Sequence, residues 1–196
     1  MPGPDQTLAR GITAQLFGDR LLDVAEAAAI EVRGTTRSAV LVTLAQREGR
    51  LCSVFTRRPD DMRRHAGEIS FPGGRLEPED DSLVDTALRE AQEEIGLDPA
   101  GVTILGGLQP TPTIATNYAI YPFVGAIGSD LEWLPSPDEV AELIELPLTA
   151  VRDGYARRRL IRRGIPIRTD TYVVGDHLIW GATARILGDL FDRIEL

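Results

Sequence analysis

The stretch from Gly73 to Leu97, GGRLEPEDDSLVDTALREAQEEIGL, constrains this chain more than any other. From Ser82 to Ile95 its apolar residues recur at helical spacing, with Ser82 as the expected N-cap and Gly96 as the stop. At about 100° per residue, Val84, Ala87, Leu88, Ala91 and Ile95 share one face. Glu90, Glu93 and Glu94 fall in an adjoining arc of roughly 100°. Like charges at i,i+3 and i,i+4 destabilise a helix by roughly 0.2–0.5 kcal/mol per pair. Glu93 and Glu94 also lie toward the C-terminal end, where the helix dipole disfavours anions. A divalent cation relieves both penalties. Mg²⁺ and Mn²⁺ take hard oxygen ligands, and phosphate oxygens can complete their shells. The competing reading is a solvated acidic face with Arg89 pairing to Glu93, and the helical wheel alone leaves both open.

The rest of the composition narrows the field. At roughly 150 residues per domain, 196 residues make one domain with terminal additions. Thirty acidic residues face 21 basic ones, all Arg, for a net charge of −9. That balance argues against non-specific binding to duplex nucleic acid or an anionic membrane, so neither is expected as a partner. A small anionic substrate stays open, because local arginines or cations reverse the local sign. Cys52 is the single cysteine, which excludes an intramolecular disulfide and a cysteine zinc cluster. His65 and His177 are too few for a histidine-rich metal site. No basic segment followed by a long apolar run opens the chain, and no apolar run approaches the ~20 residues of a spanning helix. The expectation is a soluble cytoplasmic protein.

Along the chain, residues 1–35 read as an N-terminal helical arm, with Leu21, Leu22, Val24, Ala25 and Ala28 as an amphipathic pattern, and 36–196 as the main domain. Residues 38–45 and 51–57 read as strands joined by a hairpin turn at Arg47–Arg50. Phe71 to Arg75, with Pro and paired Gly, reads as a loop. Further strands are expected near 102–108, at 118–127 and within 155–180, the last with Arg-rich turns. A closing helix is expected near 182–194, where Ile186, Leu187, Leu190, Phe191 and Ile194 form a core stripe. Cys52 is expected to face the core. Strands with intervening helices imply an α/β (α+β) architecture, a mixed sheet packed between helices.

The ending REAQEEIGL, Arg89 to Leu97, after a Gly-Gly loop, resembles the Nudix box: Gly, five residues, Glu, seven residues, then Arg-Glu-apolar-x-Glu-Glu-x-Gly-apolar. Its second half matches at every specified position. In the first half Asp80 stands where the family has Glu, and eight residues rather than seven separate it from Arg89. Upstream, Val54-Phe55-Thr56-Arg57-Arg58, then Arg63, Gly67 and Phe71-Pro72-Gly73-Gly74, is similar to the signature of the coenzyme A diphosphatases within that family. Val54 and Phe55 replace two leucines, and Pro59 replaces a small residue. Ile179 to Arg185 resembles the same subgroup's ending.

The resemblance implies a Nudix-type α/β/α sandwich and hydrolysis of a diphosphate joined to another moiety, with Mg²⁺ or Mn²⁺ as cofactor. By motif position, Glu90 and Glu94 are the principal metal ligands, Glu93 is an additional ligand, and Arg89 orients a carboxylate. Gly73 and Gly74 let the backbone approach metal and phosphate. The general base is open between Glu139, Glu142 and Glu93. Arg58 and Arg63 match the substrate signature, and guanidinium forks suit phosphates. The implied substrate is coenzyme A or its thioesters, giving 4′-phosphopantetheine and adenosine 3′,5′-bisphosphate. Alternatives are a nucleotide sugar, a dinucleotide or a nucleoside triphosphate, or a nucleotide-binding module without turnover. A homodimer through the C-terminal helix or the N-terminal arm stays open.

Overall fold

The computed structural model describes residues 16–17, 19–59, 67–113, 116–129, 131–162 and 164–196. The central pair of strands is β1 (Thr36–Arg47) and β7 (Tyr118–Ile127), parallel, with Thr36 opposite Tyr118 and Leu44 opposite Ala126. β2 (Arg50–Arg57) returns antiparallel on β1. Between them Glu48 and Gly49 take φ of 50° and 76°. Two left-handed residues make the tight turn whose twist matches a right-handed hairpin, as the Arg47–Arg50 spacing predicts. β3 (Ile69–Ser70) and β8 (Glu142–Pro147) pair with β2, while β5 (Val102–Gly107) and β6 (Thr111–Pro112) pair with β7.

The Phe71–Arg75 segment departs from the loop expected of it. Gly73–Arg75 forms strand β4, antiparallel to β1 with Gly73 opposite Val40 and Gly74 opposite Ala39. A Cβ on Gly73 would collide with the Ala39 carbonyl and the Val40 backbone. Here Gly73 permits close strand approach rather than a turn.

Period-two alternation on β1 splits the core between two faces. Ala39, Leu41 and Ala45 pack with helix α2 (Leu83–Ile95), while Val42 and Leu44 pack with helix α4 (Gly181–Arg193) on the opposite side. On α2 the buried residues are Leu83, Thr86, Ala87, Ala91, Glu94 and Ile95, and on α4 they include Ile186, Leu187 and Leu190. Burying each large aliphatic side chain contributes roughly 1.5–3 kcal/mol. The result is a mixed sheet held between helices, the α+β sandwich expected from the sequence.

The ends of α2 follow from its sequence. Ser82 Oγ accepts from the Asp85 N–H at 3.2 Å, and Gly96 closes the helix with φ 71°. A three-stranded antiparallel sheet follows the short helix α3 (Leu148–Asp153), in the order β11 (His177–Trp180), β10 (Ile165–Val174), β9 (Tyr155–Arg162). Arg157, Arg158 and Arg159 lie within β9 rather than in a turn. In the described part of the arm, helix α1 spans Val24–Ala29 with Asp23 as its N-cap. Leu22 instead bridges to Gly107, so the expected pattern beginning at Leu21 is shortened to one and a half turns. Residues 1–15 lie outside the described residues. Cys52 is buried, as expected, which pushes its thiol pKa up. Among the described residues no helix is long and apolar enough to cross a membrane.

Candidate active site

An open cleft of ≈ 610 Å³ lies where β4, the cleft-facing side of α2 and the start of α4 meet. Glu90 and Glu94 line it, with Gly73, Gly74, Arg58 and Glu139. Glu94 is only 4% exposed, and its Oε2 accepts from the Gly73 N–H at 3.3 Å. Burial pushes the Glu94 carboxyl up to about 8, opposed by the Arg58 charge and the Gly73 hydrogen bond and reinforced by Glu90 and Glu139. Burial also raises Glu90, against the pull of Arg89.

Gly74 leaves room for the Glu90 carboxylate. A Cβ at position 74 would fall inside the Glu90 carboxylate. The bare backbone of β4 is thus the wall against which that carboxylate rests.

Glu93 is placed differently. Its side chain is 55% exposed, accepts from Arg89 Nη1 at 3.1 Å and does not line the cleft. The acidic arc seen on the helical wheel therefore divides into two cleft-facing carboxylates, Glu94 buried and Glu90 half-buried, and one solvated, arginine-paired carboxylate.

Arg89 ties this surface to the preceding loop. Its Nε and Nη2 donate to the two oxygens of Asp80 at 2.9 and 3.1 Å. Nη1 meets Glu90 Oε1 at 3.0 Å, and Nη2 also donates to the Arg75 carbonyl at 3.0 Å. Asp80 further accepts from the Thr86 hydroxyl at 2.8 Å and the Glu77 N–H at 3.0 Å. The lengthened first half of the box thus ends on a carboxylate that grips Arg89, a role that residue spacing left unassigned. The Arg89 hydrogen bond is the main reason that Asp80 is held down at about 2. A depressed pKa contributes stability that is present above the unfolded value near 4 and is lost as pH falls through about 2. We expect wild type to lose roughly 2 kcal/mol over that window beyond what Asp80→Asn loses, measured by denaturant unfolding at successive pH values. Parallel curves would contradict the clasp.

Glu139 reaches the cleft because its loop caps α2. The Ser136 N–H donates to the Glu94 carbonyl at 2.9 Å and the Leu134 N–H to the Ile95 carbonyl at 3.1 Å, satisfying acceptors that a helix end leaves open. The Ala141 N–H then donates to the Arg57 carbonyl at 2.9 Å, fixing the far side of the loop to β2. Glu142, the other outside candidate, accepts from Arg57 Nε at 2.9 Å and lies 3.2 Å from His177 Nε2. The His177 hydrogen bond is the main cause that lowers its pKa.

The two stretches that carry the substrate resemblance converge here. Arg58, Phe71, Gly73 and Gly74 come from the first, and Trp180, Ala182 and Thr183 from the second; all seven line the cleft. The Thr183 hydroxyl donates to the Ile69 carbonyl at 3.1 Å, fastening one stretch to the other. Arg63 lies outside the described residues. Thr113, Thr116 and Tyr118 also line the cleft. Their segment carries no motif, and no signal in the sequence marks it.

Among the described residues, no three His, Cys, Asp or Glu side chains are assembled into a closed cation cage. Mg²⁺ is usually held by one or two carboxylates plus water and phosphate oxygens, so the Glu90–Glu94 pair suits an open site of that kind.

Comparison with known proteins agrees with this geometry. Residues 35–164 match the model of the NUDIX domain. The chain is 35% identical over 162 residues to a protein of Yersinia pestis (strain Pestoides F) described as an uncharacterized Nudix hydrolase NudL. That alignment covers 82% of this chain and 80% of the relative, and a Yersinia pseudotuberculosis relative matches equally. Among solved structures, a MutT/nudix family protein from Enterococcus faecalis superposes with a TM-score of 0.56 at 15% identity, covering 84% of this chain and 63% of that one. The Nudix hydrolase RenU from M. smegmatis gives 0.51 at 18% identity, covering 68% and 81%. These two likenesses bear on the fold.

Proposed function

Because the chain belongs to the Nudix hydrolase family, we propose that it hydrolyses the diphosphate of coenzyme A or its thioesters, giving 4′-phosphopantetheine and adenosine 3′,5′-bisphosphate. The observation that carries this reading is the meeting of Arg58, Phe71, Trp180 and Thr183 on the wall of the cleft that holds Glu90 and Glu94. Two stretches far apart in sequence, both resembling the coenzyme A diphosphatases, are brought to one site.

Glu90 and Glu94 are the residues that would hold Mg²⁺ or Mn²⁺. The fit rests on Glu94, a buried carboxylate poorly solvated by the protein alone, and on Gly74, whose missing side chain makes room for Glu90. When bound, such an ion neutralises charge on the diphosphate oxygens. Arg89 positions Glu90 through the contact at 3.0 Å. Glu93, solvated and paired with Arg89, takes at most an outer role. Glu139 is the general base: it lines the cleft, whereas Glu142 is engaged by Arg57 and His177. It draws a proton from the attacking water as the oxygen approaches phosphorus. Arg58 pairs with a phosphate of the substrate, and Arg63 is proposed for the same task on motif position alone. The main domain is proposed to be 36–196, with the preceding residues as an arm, and the setting cytoplasmic.

The test is a panel of coenzyme A, acyl thioesters, nucleotide sugars, dinucleotides and nucleoside triphosphates, scored by kcat/KM with Mg²⁺ or Mn²⁺. Coenzyme A or a thioester is expected to lead. No cleavage of either, with active cleavage of another class, rejects the substrate and leaves the carboxylate site standing.

A further inference from the structure

The β9–β10 hairpin is unlike the rest of the molecule. Residues 155–168 hold six of the 21 basic residues and no acidic one, leaving fifteen basic against 30 acidic residues elsewhere. β11 pairs only with Thr171–Val174 of β10, so the hairpin continues past it unsupported for about six residues, roughly 20 Å at strand rise. Only the tip is more than two Debye lengths of about 8 Å from that support at physiological salt; Arg159 and Arg168 stand about 10 Å out, roughly one Debye length from it.

Its pairing concentrates that charge. Arg159 stands opposite Arg168, and Arg157 lies on the same face opposite Asp170. Like charges directly across a strand pair are destabilising. Arg157 is partly compensated by Asp170 at 4.0 Å, but Arg159 and Arg168 meet no carboxylate among the described residues. Together with Pro166 these three arginines bound a recess of ≈ 460 Å³. At the tip, Ile161 and Ile165 are 79% and 64% exposed. A protruding two-stranded hairpin with bare aliphatics and uncompensated guanidinium groups gains stability only from a partner that supplies carboxylates and covers the tip.

We propose that the partner is a second copy of this chain, with the hairpin of each protomer docked on the acidic 77–85 segment of the other. That segment is the complementary surface: Glu77, Glu79, Asp81 and Asp85 are exposed, and it contains no basic residue. Two-fold symmetry uses each contact twice, since the same surface serves both protomers. Guanidinium forks bind carboxylates in pairs. Edge-to-edge pairing of two β9 strands is the poorer arrangement, because it would set arginine runs against each other. Glu77 also lines the cleft, so the docked hairpin sits at the edge of the partner's site. The inference does not depend on the substrate.

Sedimentation velocity across a concentration series tests it. Wild type is expected to dimerise, less tightly as salt is added. Arg157→Glu/Arg159→Glu/Arg168→Glu and Glu79→Arg/Asp81→Arg should each weaken association at least about tenfold while folding normally by circular dichroism. An equimolar mixture of the two should dimerise, because both interfaces of the mixed pair regain opposite charges. Ile161→Ser should weaken the dimer without changing its salt dependence. A monomeric wild type at low salt, a dimer insensitive to the arginine substitutions, or a mixture that stays monomeric overturns the proposal. Hairpin-dependent binding to phosphatidylserine vesicles by a monomeric protein overturns the choice of partner.

Discussion

Glu94→Gln is expected to lower kcat/KM by about a thousandfold and, in the same protein freed of divalent ions, to raise stability at alkaline pH. Both effects have one source. Glu94 is buried against β4, and burial lifts its carboxyl to about 8. A folded-state pKa raised above the unfolded value contributes stability that is fully present below about 4.5 and is lost as pH rises through about 8. The metal-free wild type therefore becomes less stable across that window, while the Gln variant, with nothing to ionise, does not. The difference is about 4 kcal/mol by pH 8.5. Gln keeps an oxygen for the Gly73 N–H, so the fold is retained. Added Mg²⁺ should then stabilise wild type and leave the variant unchanged. Denaturant unfolding with chelator at pH 5 and 8.5, beside the kinetics, reads every arm. Full activity in a folded variant would remove Glu94 from the metal site.

Arg89→Met is expected to cost about 2–3 kcal/mol of stability. The side chain of Asp80 is 4% exposed and is gripped through both oxygens by Arg89. Removing the guanidinium takes away the partner that chiefly holds that carboxylate ionised. It also cuts the link from Asp80 through Arg89 to Glu90 and the Arg75 carbonyl. Asp80→Asn/Arg89→Met should recover at least about 1 kcal/mol of the loss, because the unpaired charge is gone. Urea unfolding of the single and double variants checks this. Equal stabilities for Arg89→Met and the double variant would show that Asp80 carries no unpaired charge in the single one.

Helix α2 shows how much was legible in the sequence. Its limits, its N-cap Ser82 and its stop at Gly96 follow from local chemistry, and its buried face follows from periodicity. The division among its three glutamates does not. Glu93 and Glu94 are adjacent in sequence, yet one is solvated and the other buried, because β4 lies over only one of them. β4 itself was hidden, since Phe71-Pro72-Gly73-Gly74 has turn composition and its strand character depends on backbone contact with β1. Asp80 was similarly ambiguous, because spacing shows an irregular box but not which arginine the extra residue allows it to reach. Glu139 is one of three candidate bases in the sequence, but its approach to the cleft depends on Ser136 and Leu134 capping α2. The basic hairpin is visible as composition in 155–168, but its protrusion beyond β11 depends on sheet register.

The central claim is that the carboxylate cleft and the two substrate-like stretches form one diphosphatase site. The most direct measurement is mass spectrometry of the products after coenzyme A is incubated with Mg²⁺ and either wild type or Glu94→Gln. Wild type should give equal amounts of 4′-phosphopantetheine and adenosine 3′,5′-bisphosphate, and the variant should give them about a thousandfold more slowly. Intact coenzyme A with the wild type, beside rapid hydrolysis of a different diphosphate, would contradict it.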